Sequence, residues 1–96
     1  MRHCYLVCYD IADPKRLRHV HKVCQGYGEP WQYSVFFCVL KPIDRVRLQT
    51  ELEEQMNQRE DQVVIIDLGE NETTARTATT VLGQSLSEPL VGMVVI

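Results

Sequence analysis

The stretch His3-Cys-Tyr-Leu-Val-Cys-Tyr-Asp-Ile-Ala-Asp-Pro-Lys-Arg-Leu-Arg18 decides the fold of this chain. Residues 3–9 are a nearly continuous apolar run without strict alternation, the pattern of a central strand covered on at least one face. The run stops at Asp10. Three residues on, Asp13 offers a helix N-cap and Pro14 the preferred first helical position. Leu17, Val20 and Cys24 then fall at helical spacing with Val23 beside them, while Lys15, Arg16, Arg18, His19 and Lys22 cover the remainder. The spacing predicts a helix with one packing face and one basic face, stopped by Gly26 and Gly28.

Working outward, Glu29 to Leu40 is rich in aromatic and β-branched residues. It reads as a short strand or bend over 29–32, with Pro30 marking it as edge or irregular, followed by a longer strand over 34–40. From Ile43 to about Asn57, Val46, Leu48, Leu52 and Met56 predict a second amphipathic helix with Asp44 near its start. Residues 63–68 form another apolar strand whose composition implies burial. The order strand, helix, strand, strand, helix, strand is that of an α+β ferredoxin-like βαββαβ sandwich. Residues 69–80 are polar and Thr-rich and read as a loop or connector. After Pro89 the tail is apolar again, and a final strand at 92–96 would leave its side chains uncovered in a lone subunit. The expectation is that segment 81–96 crosses to a partner's sheet edge, outside a core of residues 1–68.

Ninety-six residues feed a single core, and so small a domain gains much from association. No basic leader with an apolar run and no stretch near the roughly 18 apolar residues of a membrane span is present, so a cytoplasmic protein without membrane contact is expected. The four cysteines, Cys4, Cys8, Cys24 and Cys38, form no Cys-x-x-Cys pair and lie in apolar stretches. They read as core thiols in a reducing compartment. The net charge of −3 argues against a generic nucleic-acid binder, but its distribution does not. Residues 1–50 carry eight Lys/Arg against four acids, and residues 51–96 carry two against nine. One region for polyanions and another that repels them is one reading; a solvated charge run is the other.

Two stretches carry a family pattern: Tyr5-Leu-Val-Cys-Tyr-Asp-Ile-Ala-Asp-Pro-Lys-Arg-Leu-Arg-His-Val20 and Gly28-Glu-Pro-Trp-Gln-Tyr-Ser-Val-Phe36, about a quarter of the chain. They resemble the CRISPR-associated Cas-two family, in which a strand ending in Tyr-Asp precedes an Asp-Pro-x-Arg-Leu-Arg helix start and a later Gln-x-Ser-Val-Phe strand. The resemblance implies a homodimer of ferredoxin-like subunits that partners the CRISPR integrase in spacer acquisition. It also implies a metal-dependent endonuclease acting on single-stranded RNA or double-stranded DNA with Mg²⁺ or Mn²⁺. On this likeness Asp10 is the metal ligand and catalytic residue with Tyr9 as its neighbour, and Ser34 and Phe36 belong to the second motif. Pro30 and Trp31 depart from the pattern, standing before Gln32 where many relatives carry an arginine or lysine.

Each candidate also has a plainer reading. An acid ending a strand is commonly an Asx-turn or cap residue. Two copies of Asp10 meeting at a two-fold axis would instead offer a hard cation its carboxylates. Lys15, Arg16, Arg18 and Lys22 are either phosphate contacts or solvated surface. His19 and His21 diverge on a helix and are poor joint metal ligands, so they read as surface or packing residues. Ser34 reads as a strand-terminating hydroxyl. Tyr33, Phe36 and Phe37 could stack on bases, although strand aromatics are more often core. A non-catalytic DNA-spacing scaffold, a toxin-type RNase of the same architecture and a small-molecule regulatory domain are the competing functions.

Overall fold

The first strand, β1 (His3–Asp10), occupies an interior position in a four-stranded antiparallel sheet of order β2-β3-β1-β4. In the computed structural model, which describes residues 1–84, the other elements are α1 (Pro14–Gln25), β2 (Glu29–Gln32), β3 (Val35–Leu40), α2 (Pro42–Gln55), β4 (Gln62–Gly69) and α3 (Glu72–Thr77). This is the α+β, ferredoxin-like arrangement expected from the sequence. The expected strand at 92–96, and with it most of the proposed crossing segment, lies outside the described residues.

β1 is flanked on both sides. It pairs with β3 from His3↔Leu40 to Cys8↔Val35, and with β4 from Tyr5↔Asp67 to Asp10↔Gln62. Alternation then sorts its side chains. Tyr5, Val7 and Tyr9 point to the helix layer and join Phe36, Cys38 and Leu40 of β3, Val20 and Cys24 of α1, and Leu48 and Leu52 of α2 in the main core. Cys4 lies on the other face, in a small cluster with Phe37 and Ala75. Desolvation raises the buried thiols, Cys24 to about 12 and Cys38 to about 11, and all four cysteines are free.

α1 starts where the sequence places it. Asp13 accepts a hydrogen bond from Arg16 N at 2.9 Å, and Pro14 occupies the first turn. Gly28 answers to close approach: a Cβ there would come within 2.4 Å of Cys38 Sγ and of the Phe37 carbonyl oxygen. Tyr27, just past α1, donates its hydroxyl hydrogen to Glu51 and ties that end of α1 to α2.

Three details differ from the sequence reading. Val46 is exposed rather than packed, because α2 turns only Leu48 and Leu52 fully inward. β4 is not covered on both faces: Val63 and Ile65 pack on the core, while Val64, Ile66 and Leu68 are exposed on the open side of an edge strand. Residues 72–77, expected as loop, form a helix. Asn71 caps it by accepting from Thr74 N at 2.9 Å, Glu72 accepts from Arg76 Nε at 2.8 Å, and its one buried residue, Ala75, seals the Cys4–Phe37 cluster.

The connection from β1 to α1 is pinned by a buried ion pair. The Asp61 carboxylate has no solvent exposure, and it accepts four hydrogen bonds. They come from Ala12 N at 2.9 Å, Asn57 N at 2.8 Å, Arg16 Nε at 2.8 Å and Arg16 Nη2 at 3.2 Å. Arg16 Nη2 also donates to Glu60 at 2.9 Å. The Arg16 hydrogen bond is the main cause that holds the Asp61 carboxyl far below the usual carboxylate range. Because Arg16→Gln strands the Asp61 charge away from water and Asp61→Asn removes the acceptor shared by Arg16, Ala12 and Asn57, each should lower the urea midpoint more than neutralising Lys15, Arg18 or Lys22. The double variant should lose less than the two single losses combined, as a double-mutant cycle would show; additive losses would mean the pair is not coupled.

At the far end of β1, His3 Nδ1 lies 3.0 Å from both carboxylate oxygens of Asp67, and Nε2 lies 3.5 Å from Glu70. The Asp67 hydrogen bond raises the His3 pKa above 6.5. Its contribution to stability is therefore complete below pH 6.5 and is lost as pH rises through the raised native value. Asp67, lowered by the Gly69 N–H and then by His3, behaves oppositely: its contribution is present above 3.8 and is lost as pH falls. Raising the pH from about 6 to about 9 should thus lower the melting temperature less in His3→Gln than in the wild type. Equal slopes in a thermal scan would remove His3 from the account.

Candidate nucleic-acid site at the end of the first strand

Asp10 ends β1 with an exposed side chain, and among the described residues no hydrogen bond or ion pair engages its carboxylate. It is held through its main chain, by the ladder to Gln62 on one side and by the Ala12–Asp61 hydrogen bond just beyond. Alternation from Tyr9 places it on the open side of the sheet, the face that also carries Cys4, Leu6 and Cys8.

Tyr9, adjacent in sequence, faces the opposite way. Its ring is buried beside Phe36, with centroids 6.3 Å apart, and its hydroxyl is 2.9 Å from the Tyr33 carbonyl oxygen and 2.8 Å from His21 Nδ1. A carbonyl only accepts, so the Tyr9 hydrogen goes to Tyr33 and His21 Nδ1 carries the hydrogen that is donated to Tyr9. Burial raises the Tyr9 phenol above its ordinary range, and it stays protonated at neutral pH. The Tyr9 N–H donates to the Ser34 carbonyl at 3.1 Å, so side chain and backbone both fasten the 33–34 turn to the end of β1. Ser34 thus contributes its carbonyl to this link, and Phe36 is core.

The basic residues of α1 divide. Lys15, Arg18 and Lys22 are exposed on one stripe at spacings of three and four. Arg16 is turned inward onto Asp61 and Glu60, so its guanidinium is committed to the fold. His19 is exposed and His21 half-buried between Tyr9, Tyr33 and Phe36. Trp31 stacks on Phe37 at 4.6 Å with the rings nearly parallel, and the Arg76 guanidinium lies 4.6 Å from the Phe37 centroid. Arg76 is in turn paired with Glu29 and Glu72, so its charge is matched by two carboxylates. Asp61 and Arg76 carried no sequence signal, since their partners are remote in the chain, and 45 residues separate Arg16 from Asp61; His21, expected as a surface or packing residue, packs.

A single chain offers little to a cation that needs a protein cage. Among the described residues no three His, Cys, Asp or Glu side chains gather as potential metal ligands. What Asp10 offers is one free carboxylate, a hard oxygen donor suited to a cation such as Mg²⁺ that keeps most of its waters. Nor does any helix among the described residues have the length and apolarity to cross a membrane.

Comparison with known proteins accords with these features. The family described as CRISPR associated protein Cas2 matches residues 2–76. A relative from Rhodospirillum rubrum, named CRISPR-associated endoribonuclease Cas2 1, is 46% identical over 67 residues, covering 70% of this chain and 66% of the relative. Another from Thermodesulfovibrio yellowstonii, named CRISPR-associated endoribonuclease Cas2 2, is 40% identical over 75 residues, covering 78% and 82%. The crystal structure of Streptococcus pyogenes Cas2 at pH 6.5 superposes with a TM-score of 0.75 at 33% identity, covering 83% of this chain and 99% of the other. With the β1 terminus, the α1 start and the second motif all inside the matched span, this chain belongs to the CRISPR associated protein Cas2 family.

Proposed function

We propose that this protein acts in CRISPR adaptation as a homodimer, that it cleaves phosphodiester bonds in RNA or double-stranded DNA with a divalent cation, and that it serves as a scaffold for the CRISPR integrase. The observation that carries the reading is the exposed Asp10 carboxylate, fixed by its backbone on the open sheet face of a chain whose relatives are named endoribonucleases.

The dimer follows from that face. Val64, Ile66 and Leu68 stand exposed on the edge strand beside the half-buried Leu6, Cys8 and Val35. Val64, Ile66 and Leu68 are 41%, 43% and 36% exposed, so covering each recovers only part of the roughly 1.5–3 kcal/mol of full burial, and the three together favour a second copy. In a two-fold pair the sheet faces meet and each brings its own Asp10 to the same side. Bound there, Mg²⁺ or Mn²⁺ would stabilise charge on the attacked phosphate as a Lewis acid. The chain's own residues do the rest. Asp10 supplies carboxylate oxygens, the Asp61–Arg16 pin keeps the strand end in place, and Lys15, Arg18 and Lys22 contact phosphates without regard to sequence. Tyr9, buried and hydrogen-bonded, acts as a positioning residue for the 33–34 turn.

A scaffold without cleavage is the second reading, favoured by the lack of any three-ligand cluster among the described residues. Asp10→Asn should remove Mg²⁺-dependent cleavage of RNA and duplex DNA at an unchanged melting temperature, because the side chain is exposed and no hydrogen bond or ion pair among the described residues holds it. Cleavage that persists would take the catalytic role away from Asp10, and a wild type that cleaves neither substrate with Mg²⁺ would leave the scaffold reading in possession. Ile66→Asp should shift the protein from dimer to monomer in sedimentation equilibrium, since a charge would be buried without a partner in the interface. A dimer that survives it would rule out this face.

A further inference from the structure

Among the described residues Tyr33 is the one exposed aromatic. Of the Phe, Tyr and Trp side chains, Tyr5, Tyr9, Phe36 and Phe37 are buried, while Trp31 is half-buried against Phe37 and Tyr27 is half-buried with its hydroxyl on Glu51. Tyr33 is 65% exposed, yet it is not loose. Its carbonyl accepts the buried Tyr9 hydroxyl, and its ring rests against His21 with centroids 5.2 Å apart and planes tilted by 55°. His21 is itself held by Tyr9 through Nδ1 and packs edge-on to Phe36 at 5.3 Å. An aromatic left in water but held at its backbone and along its ring has lost much of the freedom that a bound base would otherwise have to remove.

The surroundings give the ligand its chemistry. Arg18 stands one turn before His21 on α1, and Lys22 stands one turn after Arg18, both exposed. Glu51 shares a groove with His19 and Lys22 and is already engaged by Tyr27. Among the described residues neither Arg18 nor Lys22 is in an ion pair, and a fixed aromatic ring beside such cations is the combination that binds single-stranded nucleic acid, the ring taking a base and the cations its flanking phosphates. A base inside a duplex has no free face to offer.

We propose that Tyr33, braced by His21, is a base-stacking subsite that takes one unpaired nucleobase while Arg18 and Lys22 hold the adjoining phosphates. The subsite rests on the reading that the protein binds nucleic acid, and it adds a preference that neither Asp10 nor the phosphate contacts can express. It sits on the helix side of the sheet, opposite the face assigned to the second copy, so it stays open in the dimer.

The test uses the full-length protein in EDTA, where no metal-dependent cleavage intervenes. Anisotropy is measured with a labelled RNA 12-mer carrying one 2-aminopurine, and with a DNA duplex of equal length. Tyr33→Ala should weaken single-strand binding roughly 5- to 150-fold and leave duplex affinity unchanged. Tyr33→Phe should retain wild-type affinity, because the ring and not the hydroxyl does the stacking. The 2-aminopurine fluorescence should be quenched on binding to the wild type and to Tyr33→Phe, but not to Tyr33→Ala. Equal losses on both nucleic acids, or none on the single strand, or quenching that survives in Tyr33→Ala would overturn the proposal. The wild-type titrations separate the two readings: a protein that binds neither nucleic acid overturns the nucleic-acid reading and the subsite with it, whereas single-strand binding that Tyr33→Ala leaves intact overturns the subsite alone.

Discussion

The buried pair of Arg16 and Asp61 is the interaction on which the site depends. A carboxylate without any solvent exposure is tolerated only when its oxygens are fully matched, and Asp61 receives one guanidinium and two backbone N–H groups. Those donors come from three places in the chain: the connection after β1, the first turn of α1 and the turn before β4. The single carboxylate therefore closes the layer where strand gives way to helix. Asp10 sits two residues from one of its anchors, Ala12, and pairs in the ladder with the residue after Asp61. Its backbone is constrained from both sides while its side chain is left free, which is the arrangement a ligand-binding carboxylate needs.

The sheet then divides the chemistry by parity. Tyr9 and Asp10 are consecutive, yet one belongs to the core and the other to the open face. The same separation applies on α1, where Arg16 turns inward and Arg18 outward. A motif written as Tyr-Asp followed by Arg-Leu-Arg is thus two structural residues and two functional candidates interleaved. The structural members hold a turn and an ion pair; the others present their charge to solvent.

Electrostatic asymmetry along the chain takes a different form in space. The acidic second half is not only a repelling surface, because Glu60 and Asp61 neutralise Arg16 and Glu72 neutralises Arg76 together with Glu29. On α1 itself the basic surface is narrower than the eight cations of residues 1–50 suggest, with Lys15, Arg18 and Lys22 on one stripe, while Arg2, Lys41, Arg45 and Arg47 lie on other elements. On the role proposed for Tyr33, the aromatic next to the stripe would add binding that charge alone would lose as salt rises.

Local pattern was enough to determine the element order from β1 to β4, the start of α1 and its packing face. Asp13-Pro14 acts within one turn, and the spacing of Leu17, Val20 and Cys24 acts within one helix, so both are written in short windows. Asp10 was legible for the same reason, as the polar residue that ends an apolar run. The helix at 72–77 was not, because its Thr-rich composition hides a cap at Asn71 and one small buried residue, Ala75, whose packing partners Cys4 and Phe37 lie far away in sequence. Tertiary structure alone decided that Arg16 is a fold residue, that His21 braces Tyr33, and that β4 leaves Val64, Ile66 and Leu68 uncovered. Each of these outcomes depends on which distant segment arrives beside the residue, and no spacing rule within a single helix or strand carries that information.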